Sequence, residues 1–152
     1  FNECFESSDQ FLEYAEALNN YDVEIIEQPF HSTNLETNKK IKSYLKGKIF
    51  LDENIIDEDI PDDLIDYTDG INIKLQKAGG LTRARKMLLQ AKNLGLKTML
   101  GCMVETTLGI SFSSGVQDLV DYFDIDGHLF IKDEPFGMAF EENGYISFNK
   151  NL

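Results

Sequence analysis

The sequence is short of cations, histidines, cysteines and long apolar runs, and each shortage removes a class of function. Fourteen Lys and Arg stand against 27 Asp and Glu, a formal net charge of −13. Such an acidic surface repels phosphate backbones and anionic membranes, so neither nucleic acid nor a membrane is expected as a partner. No apolar run approaches the ~20 residues of a membrane-spanning helix. No basic segment followed by an apolar one opens the chain, so no secretion signal is visible. Cys4 and Cys102 cannot make a disulfide framework, and with no CxxC or histidine cluster zinc has no seat. A reduced, cytoplasmic protein is the expectation. No GxGxxG follows a strand, and there is neither a Walker A sequence nor a GxSxG elbow, so the familiar nucleotide and hydrolase readings lose support. The chain opens Phe1-Asn2-Glu3 without an initiator Met, which tag removal, proteolysis or a cut from a longer protein would each explain.

What is present is enough for a packed domain: 152 residues, 42% apolar and 11% aromatic. Short apolar runs alternate with amphipathic stretches. Phe11, Leu12, Ala15 and Leu18 predict a helix over 9–18, and a β-branched strand over 23–27 stops at Gln28-Pro29. A helix over 39–45 and a strand over 49–52 come next. Ile60, Leu64 and Tyr67 form a stripe that predicts a helix over 57–67, with Pro61 in its first turn and its acids at the positive end of the dipole. After a strand over 70–75, Gly79-Gly80 turns the chain into a strong helix with Leu81, Ala84, Leu88 and Ala91 on one face, closed by Gly95. Strands over 97–101 and 123–126 flank a helix over 107–122, and a terminal strand spans 144–148.

This βα repetition implies a parallel sheet. The steps from Glu27 to Asp52, Asp52 to Lys74 and Lys74 to Gly101 are 25, 22 and 27 residues. Each fits one strand, one helix and short loops, the economy of a (β/α) barrel as much as of an open sheet. Three successive strands end in a charge: Glu27, Asp52 and Lys74. In a parallel α/β fold those ends meet on one face, where active sites lie. Two carboxylates there repel unless a cation lies between them, and hard oxygen ligands suit Mg²⁺. A nearby lysine, held cationic by the carboxylates and made less basic by a metal, suits proton abstraction.

Glu27-Gln28-Pro29, Leu51-Asp52-Glu53 and the run from Asn72 to Gly80 (NIKLQKAGG) together resemble the enolase superfamily. They are similar to its muconate-lactonizing subgroup and, within it, to the dipeptide epimerases; Gly101-Cys102-Met103-Val104-Glu105-Thr106 and Asp124-Ile125-Asp126-Gly127 add to that likeness. The resemblance runs from about Asp9 to Asp133 in the family's order. It implies the last five strands or so of a TIM-type (β/α)7β barrel, without the capping domain, so that 1–152 is the C-terminal portion of a longer enzyme. It further implies an isomerase that moves a proton at an α-carbon through an enediolate, with Mg²⁺ as cofactor. Glu27 and Asp52 would be metal ligands and Lys74 the acid/base on one face. Asp124 and Asp126 would receive the ammonium of a dipeptide, with Met103 and Glu105 in the next loop lining the pocket.

The departures are as informative. The strand carrying a paired-lysine KxK motif and the strand supplying the first metal carboxylate have no counterpart. Asn54 stands where the family pattern Asp-Glu-Ser has Ser. Two sheet edges are left open, to be covered by the rest of the polypeptide or a second copy. His31 and His128 read as ordinary loop residues, and neither ends the fourth strand, which disfavours the mandelate-racemase branch. Cys102 reads as a small buried hydrophobe. Two other readings stay open. An o-succinylbenzoate-synthase or muconate-cycloisomerase relative would share Glu27, Asp52 and Lys74 but have no use for Asp124 and Asp126. A five-stranded flavodoxin-like module with an acidic pocket is the reading of a different class.

Overall fold

The computed structural model describes residues 1–56 and 59–149. Five parallel strands, β1 (Ile25–Glu27), β2 (Lys48–Leu51), β3 (Gly70–Lys74), β4 (Lys97–Gly101) and β5 (Tyr122–Asp124), lie side by side in chain order. A flavodoxin-like sheet would run 2-1-3-4-5; the sequential order overturns that alternative and is that of a barrel wall. The wall is curled. The Tyr122 hydroxyl on β5 donates to the Glu24 carboxylate ahead of β1 at 2.8 Å, and the Tyr122 ring stands edge-on to Phe50 of β2, 5.6 Å between centroids.

Strand alternation sorts the side chains between the two faces. In β3, Ile71 and Ile73 point outward into a core shared with α4 (Leu81–Asn93), whose Ala84, Met87, Leu88 and Ala91 are buried. Gly70, Asn72 and Lys74 point inward. Gly70 has no room for a side chain, since a Cβ there would lie 2.4 Å from the Phe50 ring. A second cluster packs α1 (Ser8–Asn20) and α2 (Leu35–Ile41) on β1 and β2 through Phe5, Phe11, Ile26, Phe30, Ile41 and Ile49. The Ser7 hydroxyl caps α1 by accepting from Gln10 N at 3.2 Å.

At the N-terminal ends of the strands, two aspartates act alike. Asp69, just before β3, accepts from Ile49 N at 2.9 Å and pairs with Lys42 at 2.9 Å. Asp121, just before β5, accepts from Thr98 N at 2.9 Å and pairs with Lys97 at 3.0 Å. Each ties one strand to the next with a charge-assisted bond.

Several expected elements differ. The helix expected over 107–122 is α5 (Thr107–Ser111) continued by a 3₁₀ helix Phe112–Leu119. The Ser111 and Ser114 hydroxyls bond the Leu108 and Ser111 carbonyls, competing with the helical ladder, and a Cβ on Gly115 would lie 2.8 Å from Leu81. The helix expected over 57–67 is a 3₁₀ segment Asp62–Asp66, in an aspartate-rich stretch of low helix propensity; Asp57 and Glu58 lie outside the described residues. A short helix α3 (Leu75–Ala78) comes directly after β3, and Gly79 (φ 81°) and Gly80 (φ 114°) make the left-handed turn into α4. The terminal strand β7 (Tyr145–Phe148) pairs antiparallel with β6 (Ala139–Glu142) across Asn143-Gly144, both at positive φ. The β1 edge is partly covered: Glu3 N and Phe5 N donate to the carbonyls of Gln28 and Pro29, and Phe5 bridges Phe30 in parallel. Among the described residues no helix is long and apolar enough to cross a membrane.

Candidate active site

The C-terminal ends of the strands gather the charges. Lys74 pairs through β4 with Asp124, by way of Gly101, in one register. Asp52, directly after β2, is buried and held by two ammonium groups: Lys74 Nζ lies 2.6 Å from one carboxylate oxygen and Lys77 Nζ 2.7 Å from the other. Lys77 also donates to the Asp52 carbonyl. The Glu27 carboxylate accepts from the Asn72 amide at 2.6 Å. A salt bridge this buried is worth little unless its remaining hydrogen-bonding capacity is met, and here each Asp52 oxygen has a cation.

The electrostatics are coupled across the mouth. Burial pulls the Lys74 ammonium down, but the Asp52 hydrogen bond and the charges of Asp52, Glu27 and Glu53 outweigh it and hold the pKa above the ordinary lysine value. Burial and the neighbouring Asp126 push the Asp124 carboxyl up, against the opposing pull of Lys74. Burial likewise pushes the Cys102 thiol up, so it stays protonated and unreactive.

Asp124 and Asp126 line a cavity of about 620 Å³ with Phe123, Leu129 and Tyr145, and none of Glu27, Asp52 and Lys74 borders it. Met103 and Glu105 do not join them there. Met103 is exposed, and Glu105 folds back toward its own loop, accepting from Met103 N at 3.4 Å and lying against Gly109. It borders a separate apolar groove with Leu75, Gly80 and Phe112. His31 is an exposed loop residue, whereas His128 lies in the 3₁₀ helix Gly127–Phe130, buried, with neither ring nitrogen partnered among the described residues. Its neighbour Gly127, pressed against the Met103 carbonyl, ties that segment beneath the loop after β4.

Sequence reasoning missed four residues of this mouth. Gln28 is buried at a strained positive φ of 36° with its amide fully used. Its oxygen accepts from Asp52 N at 2.9 Å, and its nitrogen donates to the Phe30 carbonyl and to Asn54 at 3.0 and 2.8 Å. Asn54 in turn donates to the Ser32 carbonyl at 2.7 Å, so its side chain is spent joining two loops. Lys77 and Asn72 complete the set; the i+3 spacing of Lys74 and Lys77, which places both on one side of a helical turn, was the signal for the former.

The oxygen donors are of the kind Mg²⁺ prefers. One Glu53 carboxylate oxygen is buried without a hydrogen-bond partner among the described residues, which fits a cation seat, whereas both Asp52 oxygens are already engaged by ammonium groups. Yet among the described residues no three His, Cys, Asp or Glu side chains converge as a complete metal cluster. The residues fit the ion in chemistry and fall short in number.

Comparison with known proteins agrees with this fold. The family model described as enolase C-terminal domain-like matches residues 1–149. An L-Ala-D/L-amino acid epimerase of Flavobacterium johnsoniae is 37% identical over 128 residues, covering 84% of this chain and 38% of that protein. Among solved structures, a dipeptide epimerase from Enterococcus faecalis complexed with Mg and L-Leu-L-Tyr superposes with a TM-score of 0.78 at 30% identity, over 88% of this chain and 39% of that one. An enolase family member from Agrobacterium tumefaciens, with homology to dipeptide epimerases and with sodium and L-Ala-L-Glu bound, reaches 0.84 at 30% identity, over 93% and 43%. The chain thus spans about two fifths of the length of these relatives.

Proposed function

The chain belongs to the enolase C-terminal domain-like family, and from that premise we propose that it is the C-terminal part of a Mg²⁺-dependent dipeptide epimerase. The observation that carries the reading is Lys74, a partly buried lysine at a strand end, 2.6 Å from Asp52 and in register with Asp124. A base at that mouth, between acids suited to a cation and acids suited to an ammonium, fits α-proton chemistry on a zwitterionic substrate.

In this reading Glu27 and Asp52 would hold the ion, which when bound would supply positive charge against the negative charge developing on the substrate carboxylate. Lys74 removes or returns the α-proton on one face of the substrate. Asp124 and Asp126 hold the substrate ammonium through charge-assisted hydrogen bonds. Inversion needs a second base opposite Lys74 and a third carboxylate, which the upstream part of the polypeptide must supply along with cover for the β5 edge. The 152-residue chain alone is therefore expected to be inactive.

The test is made on the full-length parent with free and N-acetylated dipeptides. Acetylation leaves the paired aspartates facing a neutral amide, and discrimination of about tenfold or more is expected from a broken charge pair. Equal turnover would favour the cycloisomerase or lyase relatives, whose substrates carry no ammonium. Activity of the isolated chain as a monomer would show that it is a complete enzyme.

A further inference from the structure

Asn72 stands inside the curled sheet with no exposed surface, on the inner face of β3 two residues before Lys74. Its amide nitrogen donates to Glu27 at 2.6 Å across the barrel interior. Its amide oxygen is buried and has no partner among the described residues. Because a carboxylate can only accept, the amide orientation is fixed by chemistry: nitrogen toward Glu27, oxygen away. Leaving a buried acceptor unmet is costly to the fold, a cost that an apolar residue of the same size would avoid. The neighbouring strand also makes room for this side chain. A Cβ on Gly101 would lie 2.5–2.9 Å from the Asn72 amide, so only glycine at 101 leaves the amide its seat.

We propose that Asn72 is a positioning residue that orients the Glu27 carboxylate for cation binding, seated by the bare backbone of Gly101. The inference rests on the proposed function, in which Glu27 holds the ion. The hydrogen bond from the Asn72 amide engages one Glu27 oxygen and thereby sets the direction of the other. Hydrogen-bond partners of this kind, one step behind a metal ligand, typically contribute 10–100-fold in affinity. Asn72 touches no reacting atom in this arrangement; it acts through Glu27.

Mg²⁺ titration calorimetry on the full-length parent tests it, with no turnover in the readout. Wild type should bind Mg²⁺ and Glu27→Ala should bind it far more weakly; failure of that pair overturns the metal assignment and this inference with it. Given that pair, Asn72→Ser is expected to weaken Mg²⁺ binding about 10–100-fold while far-ultraviolet circular dichroism stays that of wild type. Gly101→Ala keeps the amide chemistry and disturbs only its seat, so it should weaken binding to a similar degree and serves where Asn72→Ser folds poorly. Since Gly101→Ala acts through Asn72, combining the two should cost no more affinity than Asn72→Ser alone. Affinity within twofold of wild type in Asn72→Ser, or a double variant whose loss is the product of the single losses, would overturn the positioning role while leaving the function of Glu27 intact.

Discussion

The two ends of the same five strands use charge in opposite ways. At the N-terminal ends, Asp69 and Asp121 each meet a backbone N–H and a lysine, and join one strand to the next. At the C-terminal ends, Asp52, Lys74 and Lys77 are pressed together, and oxygens of Glu53 and Asn72 lie buried without partners among the described residues. The first arrangement is what stability selects. The second costs stability, and folds tolerate such cost where a ligand is to be bound. Reading which end of a barrel strand a charge occupies therefore says more than counting charges in a chain this acidic.

The sharpest way to break the contrast is Lys74→Ala in the full-length parent. Loss of a general acid/base should lower turnover by about 10²–10⁴-fold, while Lys77 still neutralises Asp52 and the melting temperature moves little. A large fall in melting temperature with turnover retained would make Lys74 a structural cation like those at the other end. Next in size is Gly70→Ala, whose new methyl would lie 2.4–2.7 Å from the Phe50 ring. Overpacking of this kind costs about 1–3 kcal/mol, read as a lower melting temperature. An unchanged melt would mean the barrel interior is looser than this contact implies.

Asp121→Ala should come third. It removes bonds to Thr98 N, the Thr98 hydroxyl and Lys97, a loss of about 1–3 kcal/mol for bonds to a charged group. Burial pushes the Asp121 carboxyl up, but its bonds to Thr98 and Lys97 win and hold it below the ordinary value. Its contribution is thus fully present above the ordinary aspartate pKa and is lost as pH falls through the depressed one. Wild type and variant melts should differ most at neutral pH and converge in acid. A gap that is constant with pH would remove the charge from the explanation.

The strands and the positions of Glu27, Asp52 and Lys74 were legible because a parallel sheet imposes both period and spacing on the sequence. The five strands lie where the apolar runs stand, within a residue or two at their ends, because the outward Ile71, Ile73 and Leu100 must be buried whatever else the chain does. The 3₁₀ segments were not legible, since serine hydroxyls competing for carbonyls and a glycine pressed by Leu81 are tertiary facts. Nor was the network behind the charges. Gln28 and Asn72 are ordinary amides in sequence, and only the curl of the sheet brings Asn72 to Glu27, 45 positions earlier. Hairpin strand β6, Ala-Phe-Glu-Glu, has no alternation to betray it, and becomes a strand through pairing with β7.

The smallest effect concerns Asp124, and it probes the contrast from the stability side. Burial first, then Asp126, raises its carboxyl pKa. A carboxyl raised in the folded state stabilises fully only below its ordinary pKa, and that contribution is lost as pH rises through the raised value. At neutral pH the ionised Asp124 is therefore a net cost, the reverse of Asp121. Asp124→Asn keeps the shape and removes the charge, so it should raise the melting temperature at pH 7 and leave it unchanged or lower near pH 3. Since the side chain is only partly withdrawn from solvent, the gain should stay within about 0.5 kcal/mol. The same variant should lose part of its preference for a free ammonium over an acetylated amine, because only Asp126 remains to receive it. Loss of stability at pH 7 would place Asp124 with Asp69 and Asp121 as a brace, and would count against the ammonium-binding role proposed for it.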